Sequence, residues 1–171
     1  MKKYVLVLLS VFICNFVFAE TKFIFSNGSK IEFKYDENTP DIWMYAGNDK
    51  TRDSYLIESL GPDCRIDSVF TDVVNGKNVF FVKVYLGNPG GRQKLDVRNL
   101  YVFEITKDCK IKLLLNKELV NIHYSVASDS FVSNKVYFYT YNSETKEISI
   151  FTTDNYNFTE IEKIKLKELI R

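Results

Sequence analysis

From residue 21 onward, apolar and polar residues alternate with a period of two, and the runs are rich in Val, Ile, Phe and Tyr. That pattern suits a pleated sheet with one face buried and predicts strands as the repeating unit. Segments 21–26 and 29–35 flank Asn27-Gly28, a pair that tolerates positive φ and so predicts a tight hairpin. The same device recurs at Asn75-Gly76, between the run ending in Val73-Val74 and the run 78–86. Two longer polar turns predict further hairpins: 99–106 with 109–115 across Lys107-Asp108, and 135–141 with 147–153 across 142–146. Shorter runs at 42–46, 54–60, 122–126, 129–132 and 159–166 raise the expected count to about eleven or twelve strands. The predicted fold is therefore all-β, an antiparallel meander forming a sandwich or an open barrel. The chain is too short for a complete propeller, at about 40 residues per blade. Segments 51–60 and 160–171 compete for helix, but neither carries an apolar stripe at helical spacing. Phe80, Val82, Val84 and Leu86 share one side of their strand, as do Cys109, Ile111, Leu113 and Leu115, and both sets are expected in the core.

The N-terminus breaks this pattern. Lys2 and Lys3 precede an apolar run over residues 4–18, which ends in Val17-Phe18-Ala19 before Glu20. This is the layout of a secretory signal peptide, and it predicts cleavage after Ala19, export to the periplasm and a single mature domain over 20–171. The apolar run is shorter than the roughly 20 residues of a spanning helix, so no stable membrane insertion is expected after cleavage. Export leaves Cys64 and Cys109 as the only cysteines, since Cys14 lies in the removed segment. A Cys64–Cys109 disulfide is the simplest pairing in an oxidising compartment, closing a loop of about 46 residues worth roughly 4 kcal/mol. Two separate buried thiols are the alternative.

Charge and chemistry narrow the function. With 23 Lys and Arg against 22 Asp and Glu, two of the lysines lying in the leader, the mature chain is close to neutral. It therefore lacks the basic field of a nucleic-acid-binding protein. The single histidine, His123, cannot complete a metal set with two cysteines, and no phosphate loop, nucleophile elbow or zinc-protease motif occurs. No catalytic residue, cofactor or metal is predicted. One catalytic route stays open: Asp36, Glu37, Asp41, Asp49 and Asp53 cluster around Trp43 and Tyr45. They are read either as a sugar or cation site with Trp43 as a stacking platform, or as a solvated acidic turn with Trp43 in the core. Two features point to recognition. Residues 87–98, including Arg92, Lys94, Asp96 and Arg98, form a glycine-containing segment long enough to be a binding loop, or else a mere connection. Tyr137, Tyr139 and Tyr141 share one strand face, as an interface or as an ordinary amphipathic surface, with Val136 and Phe138 on the other.

The strand 66–71, the Asn75-Gly76-Lys77 turn, the strand 80–84, the glycine-containing loop and Leu100-Tyr101-Val102-Phe103-Glu104 together resemble small exported β proteins. These are immunity partners of antibacterial toxins, including type VI secretion effectors of Gram-negative bacteria. The resemblance spans roughly residues 60–120. It implies a periplasmic protein that binds a cognate toxin and plugs its active site or blocks its activation. The loop charges and Tyr137 or Tyr139 would then be the partner-binding residues. The alternative expectation is a secreted carbohydrate-binding module or glycosidase-like enzyme using the Trp43 and carboxylate cluster.

Overall fold

The computed structural model describes residues 21–24, 30–36, 41–59, 64–86, 93–154 and 157–170. The segment expected to be a signal peptide, its expected cleavage site, the Asn27-Gly28 turn and Arg92 lie outside the described residues, as do the side chains of Asp36 and Lys94. The described chain is almost wholly strand, in three antiparallel meanders that do not close into a barrel. The first sheet has the order β1(Thr21–Ile24), β2(Lys30–Asp36), β3(Asp41–Gly47), β4(Arg52–Ser59). The second runs β5(Cys64–Val74), β6(Lys77–Leu86), β7(Gln93–Ile105), β8(Ile111–Ser125), β9(Ser130–Val136). The third is β10(Phe138–Asn142), β11(Glu147–Asp154), β12(Asn157–Lys165), followed by the single-turn helix α1(Leu166–Leu169). Within each sheet every strand pairs with its sequence neighbour, as the hairpin signals predict.

The five-stranded sheet is the middle layer of a sandwich. One of its faces, with Phe80, Val82, Val84, Tyr101 and Phe103, packs on Ile31, Phe33, Ile42 and Met44 of the first sheet. The other, with Val79, Phe81, Leu100 and Val102, packs on Ile148 and Ile150 of the third sheet and on Leu166 and Ile170 at the C-terminus. A strand covered on both sides has no polar face to keep, which is why β6 carries Val79-Phe80-Phe81-Val82 without interruption, all of it buried. At its turn Asn75 and Gly76 take φ of 51° and 73°, the two left-handed positions of a type I′ hairpin.

β-bulges decide which side chains reach which core. The register of β7 against β8 shifts between Val102 and Phe103. Ile111 and Leu113 therefore pack with the first core, whereas Leu114 and Leu115 pack with the second. Leu115 thus leaves the face that alternation predicts for it. Residues 52–59 are the edge strand β4 and residues 157–165 are β12, so strand replaces the competing helical reading in both places except at α1.

The expected disulfide is corrected. Cys64 and Cys109 are both buried free thiols. Cys64 is paired beside Leu86 at one end of the middle sheet, and Cys109 sits in the turn after Ile105, which pairs with Asn78 at the other end. The stretch of β6 from Asn78 to Leu86 separates these ends by roughly 27 Å. A disulfide needs Cα atoms within about 7 Å, so this fold cannot bridge the pair. Cys109 adopts φ 58° and accepts a hydrogen bond from Asn48 Nδ2 at 3.4 Å.

Candidate functional site: a groove at the seam of two sheets

β7 and β8 are the longest strands, and their length creates the site. The pairing of β6 with β7 ends at Tyr85–Arg98, whereas β7 continues back to Gln93 alongside β8. The first part of β7 thus overhangs the core as part of a ladder with β8 and β9. Where β9 passes into β10, the Tyr137 N–H donates to Leu119 O at 2.6 Å and ties the third sheet to the middle one. Between overhang and seam lies a groove of about 360 Å3. Its apolar wall comes from Leu119, Val120 and Ile122 of β8 and from Val136, Tyr137, Phe138 and Tyr139 across the junction. Its charged end holds Lys83, Asp96 and Arg98.

The charged end is organised in advance. Arg98 donates through Nε and Nη2 to the two carboxylate oxygens of Asp96, at 2.9 and 3.2 Å, a bidentate pair. Its Nη1 lies 3.5 Å from Asp67, and its guanidinium stands 5.6 Å from the centre of the Tyr85 ring. Arg65 covers the same ring at 4.2 Å and reaches Asp67 at 3.5 Å. Asp67 stands at the bulge between Ile66 and Ser68, the extra residue of β5. The hydrogen bonds to Asp96 are the main reason the Arg98 pKa rises above its ordinary value, so the guanidinium stays charged.

The candidate residues behave differently from one another. Asp96, Arg98, Tyr137 and Tyr139, drawn from two distant segments, meet in this groove. Lys94 and Arg98 prove to be strand rather than loop residues, because β7 begins at Gln93. The tyrosines are turned the opposite way from the exposed face expected of them: Tyr137, Tyr139 and Tyr141 pack against the second core, and burial pushes the Tyr139 hydroxyl pKa up. Phe138, between them, is the outward residue at 43% exposure, with its ring edge-on to Phe158 at 5.4 Å. Lys83, Ile122, Phe138, Asp67 and Tyr85 were not among the candidates. The one sequence signal for them is the register of β6 on β7, which sets Lys83 and Tyr85 beside the start of the overhang.

Elsewhere, His123 stands on β8 opposite Leu95 and Ser133, with its Nε2 buried and unpaired. Among the described residues no three His, Cys, Asp or Glu side chains cluster to hold a metal ion. No helix among them is long and apolar enough to cross a membrane. Trp43 is not in the core: it lies half-buried on the outer face of the first sheet, its ring near parallel to that of Tyr45 at 6.2 Å.

Fold and groove together define a three-layer all-β protein with a partly apolar groove at the seam of two sheets. The chain matches no family model, and no curated protein or solved structure is significantly similar to it.

Proposed function

We propose that this chain is a periplasmic protein-binding inhibitor, an immunity protein that neutralises a cognate antibacterial toxin by covering its working surface. It is exported by its signal peptide and acts without a cofactor. The observation that carries this reading is the convergence of Asp96, Arg98, Tyr137 and Tyr139 on one groove, with Phe138 exposed at its edge. A groove of this size accepts one large apolar side chain of a partner. Aromatic anchors in a desolvated pocket with a charged rim are the usual centre of a tight interface. The Asp96–Arg98 pair sets orientation and encounter rate more than affinity.

The test uses a cell from which the gene has been deleted and which is challenged with the toxin encoded beside it. The wild-type chain restores survival and abolishes the purified toxin's activity at equimolar ratio. Replacing exposed Phe138 with Asp, or reversing Asp96 to Lys, weakens both effects at least about tenfold, or about 1.4 kcal/mol. Full protection by both variants contradicts the proposal.

A further inference from the structure

We propose that the outer face of the first sheet is a binding site for a neutral oligosaccharide, independent of the seam groove. The register of β2, β3 and β4 lays three rows across that face: Lys30–Gly47–Arg52, Glu32–Tyr45–Ser54 and Lys34–Trp43–Leu56. The first row has no side chain at its centre, because that position is Gly47. A Cβ there would meet Arg52 Cγ at 3.2 Å and Thr51 O at 3.3 Å. Gly47, with Arg52 and the Thr51 carbonyl drawn close over it, is part of the lining of a basin of about 630 Å3 that also includes Tyr45 and Lys30. Tyr45 is 37% exposed and is backed by Trp43 at 6.2 Å with an angle of 28° between the rings. Lys34 stands 5.9 Å from the Tyr45 ring centre and 3.6 Å from Glu32.

The lining selects the ligand class by elimination. Lys30, Lys34 and Arg52 are matched one for one by Glu32, Asp49 and Asp53. A polyanion would meet the three carboxylates, a polycation the three cations, and an apolar peptide would strip water from all six charges without replacing it. A sugar avoids each cost. Its hydroxyls both accept from Lys and Arg and donate to carboxylates, and its C–H face packs against an aromatic ring. Asp53 is already held by the Ile111 N–H at 2.9 Å and Glu32 stands beside Lys34, so both act as fixed wall, and exposed Asp49 is the acceptor that meets a ligand.

The only tryptophan of the chain is Trp43, which makes the site its own reporter. The full mature chain is titrated with chitotetraose, cellotetraose and maltotetraose while Trp43 emission is followed, with a heparin-derived tetrasaccharide as the anionic comparison. At least one neutral sugar gives a saturable change, and Tyr45→Ala and Arg52→Gln each weaken it about tenfold, or about 1.4 kcal/mol. Both variants change exposed side chains, and unaltered circular dichroism confirms that they fold. Phe138→Asp leaves sugar binding unchanged, because it lies on the third sheet. Emission unmoved by every neutral sugar up to about 10 mM, far weaker than a micromolar site, overturns the proposal. A response to the anionic sugar alone overturns it, and so does equal binding by both variants.

Discussion

Asp72 is where a single ionisable group ties two sheets together. From β5 it accepts hydrogen bonds from Tyr141 Oη of β10 at 2.5 Å and from Lys146 Nζ at 2.7 Å, and from the Val73 N–H at 2.6 Å. Burial alone would raise its pKa, but these three donors, with the Lys146 charge, hold it below the ordinary carboxylate value. The Tyr141 hydroxyl is pushed up, first by burial and then by its bond to Asp72. A depressed carboxylate stabilises the fold above its unfolded pKa, about 3.9, and that contribution is lost as pH falls through the folded value. Asp72→Asn is therefore expected to cost about 1–3 kcal/mol near pH 7 by chemical denaturation. The deficit relative to wild type should shrink below about pH 4. A deficit constant from pH 7 to pH 2 would refute this role.

Two other residues follow the same logic. Glu104, at 2% exposure, is the one buried charged residue among those described, and Lys77 Nζ lies 2.8 Å from its Oε1. Removing that cation with Lys77→Met leaves the buried carboxylate only the longer ion pair with Lys112 Nζ, 4.0 Å from Oε2, and should cost about 3 kcal/mol, whereas adding Glu104→Leu should recover most of it. Urea midpoints of the two variants check the difference. Burial, together with the negative charges of Glu58 and Asp41, pushes the Cys64 thiol up to about 11. In the native protein at pH 8, Cys64 should resist a thiol reagent that labels both cysteines rapidly in denaturant, and reductant should not lower Tm.

Among the elements, hairpins were the most legible in the sequence. Asn75-Gly76 has one comfortable backbone solution, and the structure adopts it. Gly76 has open space around the missing Cβ, so Gly76→Ala tests backbone strain without a steric clash. It should cost about 1 kcal/mol, read from the shift in Tm. The core face of β6 was equally legible, since Phe80, Val82, Val84 and Leu86 follow strict alternation. What alternation could not reveal was the second buried face of the same strand or the shift of Leu115, because a bulge is set by tertiary packing and leaves no mark in local pattern. The tyrosine strand turns its tyrosines inward rather than to an outer surface. In β10 Phe138 shares its face with polar Thr140 and Asn142, and that face is the exposed one, while Tyr139 and Tyr141 take the buried side against the second core. The candidate site was thus legible as residue types but not as a place. Asp96 and Arg98 read as loop residues because they lie where β7 runs on past the end of β6: Arg98 makes the last pair with that strand, at Tyr85, and Asp96 is paired only with β8.

On the scale of the whole molecule, the stack of three meanders makes the middle sheet the common wall of both cores. Phe81 and Phe80 point to opposite cores from adjacent positions, and each truncation to Ala should cost about 3–5 kcal/mol. The same stacking leaves outer faces and seams as the places open to other molecules, and the seam groove is where the proposed inhibitor makes its contact. Amide hydrogen exchange of residues 20–171, with and without the toxin of the proposed pair, tests that claim most directly. The account predicts added protection at residues 93–98, 119–122 and 136–139, with the outer face of the first sheet unchanged. Protection confined to β2, β3 and β4, or none anywhere at a saturating toxin concentration, would contradict it.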